Sequence, residues 1–188
     1  MSATETVIRF SVNPGLSRFT VQAFASGLFS ALGHNPKIAI RDYSGDLAFS
    51  PSSPQDSNVR ITAKGDSFEV TDDVSAKDRA EIDKKMKQDV LETSQYPEIA
   101  FESTQMSVTK TGDANYMAQV TGNLTLHGVT RAVTIPAQVS VTGDSLRAYG
   151  EFSLLQTDYG IALISVAAGA LKVKDEVKLS FDLTARKI

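Results

Sequence analysis

Cysteine is absent from the 188 residues, so disulfides and thiolate metal sites are excluded and the redox compartment is left open. Tryptophan is absent as well, and the only histidines are His34 and His127. Two histidines without a third ligand or matched carboxylate spacing make at most a weak metal site. The chain holds no G-x-S-x-G elbow, no H-E-x-x-H helix and no P-loop, which removes the common nucleophilic, zinc-protease and nucleotide readings. No run approaches the roughly 18 apolar residues of a membrane helix. A net charge of −3 with no basic stripe argues against nucleic acid. The opening Met1-Ser2-Ala3-Thr4-Glu5-Thr6 has neither a basic region nor an apolar one, which predicts a cytoplasmic protein as the sequence stands, or a periplasmic one if a leader was removed.

What is present is alternation. From Tyr116 to Leu126 every second residue is apolar or small, the period of a half-buried strand. After Gly128 the row resumes as Val129, Val133, Ile135, Ala137, Val139 and Val141. We expect a hairpin turning at Gly128-Val129, which sets Leu126 opposite Arg131, Leu124 opposite Val133 and Gly122 opposite Ile135. A second two-residue turn at Gly143-Asp144 pairs Thr142 with Ser145. Continued along the strands, it places Ala137 by Gly150, Ile135 by Phe152, Val133 by Leu154 and Arg131 by Gln156. Three strands then share one apolar face that ends in an Arg and a Gln. Pro136 falls inside a strand and cannot donate to the ladder, so irregular pairing is expected there.

Elsewhere, Thr6–Val12 and Arg18–Ala25 alternate around an Asn13-Pro14-Gly15 turn, and Ala25–Leu32 reads as short helix or coil. Lys37–Ser50 is strand-like with a bulge or bend expected at Gly45. Ser75–Thr93 changes period: Ile82, Met86 and Val90 at i, i+4, i+8 mark an amphipathic helix with Ser75 as N-cap, ended by Gln95-Tyr96-Pro97. Ile99 and Phe101 begin a strand whose alternation decays after Ser103. Val177, Leu179, Phe181 and Leu183 carry the cleanest strand of all. About eight long strands, one helix and no βαβ unit predict an all-β antiparallel barrel, lipocalin-like and extended, with the helix at one end and residues 1–188 as a single domain.

Connections alternate between barrel ends, so His34, Asn35, His127, Arg131, Gln156 and Asp158 are expected round one mouth. Arg131 is the sharpest ligand candidate: an inward guanidinium there could hold a phosphate, carboxylate or quinone oxygen. A structural pair with Asp158 is the equal alternative. His127 faces outward by alternation. Gly122, Leu124, Leu126, Val133, Ile135 and Ala137 are expected to line the interior, with Phe152, Leu154, Val177, Leu179 and Phe181 facing them. Small inward residues (Ala118, Gly122, Ala137, Ala148, Gly150) leave space that a packed core would fill.

Several ordered motifs resemble the YceI-like family of bacterial lipid-binding barrels. They are Tyr96-Pro97-Glu98-Ile99-Ala100-Phe101-Glu102-Ser103, Val120 through Arg131, Thr157-Asp158-Tyr159-Gly160-Ile161 and Val173 through Leu179, with Asp78-Arg79 at the helix start. The chain departs from the family pattern at Gln156, where Arg is usual. The resemblance implies an extended lipocalin-like barrel around a long apolar tunnel that holds polyisoprenoids, isoprenoid quinones or other amphiphiles. It implies binding, storage or transport rather than catalysis, with no required cofactor and a bound isoprenoid lipid or quinone compatible with it. The expected partner is a long-chain amphiphilic lipid, with no nucleic acid and no integral membrane segment. The oligomeric state is open and a homodimer is compatible. Two alternatives are an enzyme acting on such a lipid at the mouth and a filled barrel with a structural role. Strands of about 11 residues tilted by about 40° give a barrel roughly 28 Å tall, which suits a tail about twice as long as an ordinary fatty acid.

Overall fold

The computed structural model describes residues 6–26, 35–166 and 171–188. In chain order its first strands are β1 (Ile8–Val12), β2 (Arg18–Gln22), β3 (Ala25–Ser26), β4 (Lys37–Ile40), β5 (Tyr43–Phe49), β6 (Asn58–Lys64) and β7 (Phe68–Val70). Helix α1 (Ala76–Lys85) follows and widens into a π turn over Met86–Val90. Next come β8 (Glu98–Lys110), β9 (Asn115–Leu126), β10 (Val129–Thr142) and β11 (Ser145–Leu155). Short β12 (Ser165–Val166) and β13 (Leu171–Val173) precede β14 (Glu176–Lys187). Pairing runs β1-β5-β6-β8-β9-β10-β11-β14 and returns to β1, closing an antiparallel barrel of eight strands, as the alternation predicts.

Three of the barrel strands are broken in the middle. β1 and β2 lie end to end along β14, against Ala185–Lys187 and Lys178–Asp182 respectively. The Asn13-Pro14-Gly15 signal is therefore a step within one long strand. Asn13 accepts from the Gly15 N–H, and Ser17 Oγ receives the Thr184 N–H at 2.9 Å. β4 pairs with β2 while β5 pairs with β1, so the break in this strand falls at Arg41-Asp42. Gly45 stays in register with Ile61, and the bulge expected there does not occur. A Cβ at Gly45 would lie 2.3 Å from Ile61 Cδ1, so glycine is needed for close side-chain approach. The expected helix or coil from Ala25 begins instead as β3, which pairs with β13. The rest of that stretch lies outside the described residues.

The upper halves β2, β4 and β7 flare away from the barrel and leave β7 as an edge. Helix α1 covers it. Asp83 accepts the Val70 N–H at 3.1 Å, and Arg79 donates to the carbonyls of Val70 and Asp72 at 2.9 and 2.8 Å. Two side chains thus supply the hydrogen bonds a further strand would make. Ser75 caps the helix by accepting from the Asp78 N–H, as expected. The helix ends earlier than the Gln95-Tyr96-Pro97 signal suggests. Glu92 takes φ +45° and the Thr93 N–H turns back to Lys87 O, a C-terminal cap in the left-handed region.

The β9–β10 hairpin differs from expectation by one residue. The turn is His127-Gly128, with φ +53° and +72°, the double positive φ of a type I′ turn. Leu126 pairs with Val129, and Arg131 lies opposite Leu124, Val133 opposite Gly122, Ile135 opposite Val120. Because the register moved by two, every residue kept its face. The Gly143-Asp144 turn is as expected, and β10 pairs with β11 from Thr142–Ser145 to Gln138–Tyr149. There the ladder stops. In these hairpins the odd residues of β10 bond to the β9 side, as Val141 does to Ala114 O, so Pro136 falls on the edge that should donate to β11. Its missing N–H ends the pairing, and the expected partners Ile135–Phe152, Val133–Leu154 and Arg131–Gln156 do not form. We predict that the amides of Thr130, Ala132 and Thr134 exchange at least about tenfold faster than those of Arg131, Val133 and Ile135. Residue-resolved hydrogen exchange measures this, and equal protection of the two sets would refute the open seam.

β8 explains its own decaying alternation. The β8–β9 register shifts between Ser103 and Gln105, a bulge that reverses phase and turns Met106 and Val108 inward in place of the odd series.

Candidate functional site

The barrel interior holds two apolar chambers. The lower, of about 190 Å³, is bounded by residues such as Phe49, Met106, Tyr116, Ala148 and Phe181. The upper, of about 380 Å³, lies under α1 and against the β3–β13 strands, with Ile82, Met86, Val90 and Leu91 forming the helix side. Ile40, Ile99, Leu124 and Leu179 line both chambers and form the waist between them. The apolar helix face that the sequence shows is therefore a cavity wall.

Of the residues expected along the tail, Leu124 and Leu179 line both chambers, Ile135, Ala137, Phe152 and Phe181 the lower, and Leu126, Leu154 and Val177 the upper. Gly122 and Val133 line neither. A Cβ on Gly122 would lie 2.6 Å from the Phe101 ring and 2.4 Å from Glu102 O, so an aromatic ring already occupies the space this glycine leaves. Gly150 is likewise filled, by Pro136 O at 2.2 Å and the Phe181 ring. The inward alanines Ala118, Ala137 and Ala148 do open onto the lower chamber. Val133 pairs with Gly122 on the β9 side and lacks only its expected β11 partner.

The expected headgroup set is placed differently. Among the described residues only Gln156 lines a chamber; it is buried, and its Nε2 donates to Lys174 O at 2.9 Å. Arg131 donates from Nε to Asp158 O and approaches the Asp158 carboxylate at 4.0 Å, and the two side chains are 52% and 49% exposed. Arg131 is thus paired with Asp158 at the rim and lines neither chamber. With the β10–β11 ladder ended at Pro136, nothing brings it opposite Gln156, and no hydrogen bond joins the two among the described residues. Asn35 ties the chain down, its Oδ1 accepting from Ala25 N–H at 2.8 Å and its carbonyl from Gln22 Nε2 at 2.6 Å. His34 lies outside the described residues.

His127 holds the rim together. Its side chain is only 9% exposed; Nδ1 meets Tyr159 O at 3.1 Å and Nε2 meets the Glu92 carboxylate. Glu92 and His127 are also the two non-glycine residues with positive φ among the described residues, so the two least favourable backbone conformations are tied to one another. The Tyr96 ring lies 4.5 Å from the imidazole and would stand 2.6 Å from any Cβ on Gly128. A second corner joins Thr157 to Asp175, whose carboxylate takes both the Thr157 O–H and N–H. Those bonds hold the Asp175 carboxyl below its ordinary range. Tyr159 is 1% exposed, burial pushes its phenol up, and its O–H has no partner among the described residues. The motifs around Tyr96, His127, Thr157 and Asp175 thus build the rim, while their apolar members face the chambers.

Two contributors were not assigned from sequence: Lys85 and Lys172, both lining the upper chamber. For Lys85 a signal existed, since it follows Ile82 by three and precedes Met86, on the apolar side of the helix. Nothing in the short β13 segment marks Lys172. Among the described residues no group of three or more His, Asp or Glu could hold a metal, and no helix is long and apolar enough to cross a membrane.

The closed barrel has counterparts among known proteins. BcnA of Burkholderia cenocepacia superposes with a TM-score of 0.70 at 20% identity, over 92% of this chain and 98% of that one. A polyisoprenoid-binding domain from Saccharophagus degradans, implicated in plant cell wall breakdown, superposes at 0.69 with 14% identity, over 96% and 99%. In sequence, a UPF0312 protein of Pseudomonas aeruginosa (strain LESB58) is 35% identical over 129 residues, 65% of this chain and 61% of that protein. Protein YceI of Escherichia coli O157:H7 is 35% identical over 105 residues, 55% and 49% respectively. The chain thus aligns with about half to three-fifths of the length of these relatives. The model of the YceI-like domain matches residues 5–185, nearly the whole barrel with its rim motifs, and the chain belongs to that family.

Proposed function

We propose that this protein binds, and thereby stores or carries, a single long-chain amphiphilic lipid of the isoprenoid kind, without acting on it chemically. The observation that carries the proposal is the pair of apolar chambers that share a waist of four aliphatic side chains and have few polar residues in their lining. A methylene is about the size of a water molecule, whose share of liquid volume is roughly 30 Å³, so the upper chamber accommodates about a dozen carbons and the lower about six. A tail of some 18 to 20 carbons threads both. At roughly 0.8 kcal/mol per buried carbon this amounts to about 15 kcal/mol gross, from which ordering costs subtract enough to keep exchange practical. The lipid-binding reading is also supported by family membership and by the polyisoprenoid-binding description of the Saccharophagus degradans domain.

The test is an organic extract of the purified protein, read by mass spectrometry, together with uptake of geranylgeraniol by the delipidated protein. A stoichiometric prenyl or comparable long-chain lipid is expected. An empty extract combined with no uptake of a twenty-carbon prenol would reject the proposal.

A further inference from the structure

We infer that the upper chamber selects an amphiphile with an anionic headgroup, a phosphate monoester or a carboxylate, held by Lys85 and Lys172; the inference rests on the lipid-binding reading above. Among the described residues lining the two chambers, these lysines are the only charged ones. Both are cations, both belong to the upper chamber, and no carboxylate of the described residues lines either chamber. They come from different walls: Lys85 from the last turn of α1, Lys172 from β13 on the strand side. The chain as a whole carries an excess of acid, so a wall bearing only cations runs against its overall charge.

Glu81 and Asp89 flank Lys85 four residues away on either side, yet no described acid is within salt-bridge distance of either lysine. Asp83 is bound to the Val70 N–H, Glu92 to His127, Asp175 to Thr157, and Asp158 lies beside Arg131. Neither Lys85 nor Lys172 forms a salt bridge with a described residue, whereas Lys64, Lys178 and Lys187 each do. A lysine at such a place lays its methylenes along the apolar wall and keeps the ammonium at the wet end. Lys85 is half-buried and Lys172 is exposed, so water solvates both ammonium groups, and neither has an anionic partner among the described residues. A phosphate or carboxylate entering after its own tail supplies that partner through charge-assisted hydrogen bonds, and a hydroxyl or quinone oxygen supplies much less. Gln156, tied to Lys174 O on the same wall, adds a polar but uncharged neighbour.

Calorimetric titration tests this, since the chain has no tryptophan to report binding by fluorescence. Farnesyl phosphate is compared with farnesol, and palmitate with hexadecanol, on the full chain and on Lys85→Met, Lys172→Met and the double variant. Methionine keeps the apolar stem, and thermal melts establish that each variant folds. The full chain is expected to favour at least one anionic member over its alcohol by about tenfold or more, with the preference shrinking as salt rises. Each single variant should lose part of that preference and the double variant nearly all of it, with farnesol affinity held within about twofold. A gain for palmitate assigns carboxylate recognition, and a gain confined to farnesyl phosphate assigns phosphate. Equal affinity of acid and alcohol in the full chain, or a preference that survives in the double variant, overturns the headgroup assignment while leaving lipid binding intact. Failure of all four ligands to bind overturns the lipid-binding reading and this one with it.

Discussion

Replacing Leu124 with tryptophan should lower affinity for geranylgeraniol by about a hundredfold and leave decanol binding within about twofold. Leu124 sits on β9, is 6% exposed and lines both chambers at the waist. An indole there fills the waist that Leu124 shares with Ile40, Ile99 and Leu179 and, on the proposed reading, keeps a tail out of the lower chamber. About six carbons of a long tail then lose the lower chamber, a gross loss near 5 kcal/mol at roughly 0.8 kcal/mol per carbon. Part of that gross figure is offset because the excluded carbons no longer have to be ordered, which brings the expected effect to about two powers of ten. Decanol fits the upper chamber alone and serves as the control. Overpacking costs about 1–3 kcal/mol of stability, but it affects both ligands alike and leaves their ratio interpretable. Equal loss of the two ligands, or no loss of either, would show that tails do not cross the waist.

His127→Ala should destabilise the protein by about 3 kcal/mol and lower the melting temperature by roughly 6–12 °C, as measured by differential scanning calorimetry. The imidazole is nearly buried and bonded at both nitrogens, to Tyr159 O and to Glu92. A backbone carbonyl can only accept, so Nδ1 carries a hydrogen, and Nε2 bonds the Glu92 carboxylate. Removing the ring takes the partner from the half-exposed Glu92 carboxylate, leaves alanine at φ +53° and frees Tyr96 from one of its packing surfaces. Glu92→Gln keeps a hydrogen-bonding group for Nε2 and should cost less than half as much. If the glutamine variant is as unstable as the alanine one, the carboxylate itself carries the contribution and the hydrogen-bond account fails.

Much of the fold could be read directly. Strand faces were legible because the side-chain period is two, and the actual hairpin differs from the expected one by a register change of two, which exchanges no face. The helix, its Ser75 cap and its apolar row were legible for the same reason, a local period with a local cap. Pro136 marked an irregularity in advance because a missing N–H is a property of the residue itself.

Other features depend on partners distant in sequence. The turn settles on His127-Gly128 because Glu92 and Tyr159 hold the imidazole there, and neither lies near it along the chain. Arg131 belongs to the inward row by alternation, yet the row ends at the rim and the Asp158 carbonyl takes the guanidinium instead. Glycines 122 and 150 promise empty space, but rings on β8 and β14 fill it. The waist joins residues of β4, β8, β9 and β14, and the two lysines of the upper chamber come from a helix and a strand 87 positions apart in the numbering. Periodicity along the chain therefore determined which residues face inward in the regular strands. Cavity shape, the waist and the sign of the charge at the rim were decided only by tertiary structure, because each arises where side chains from separate strands converge in space.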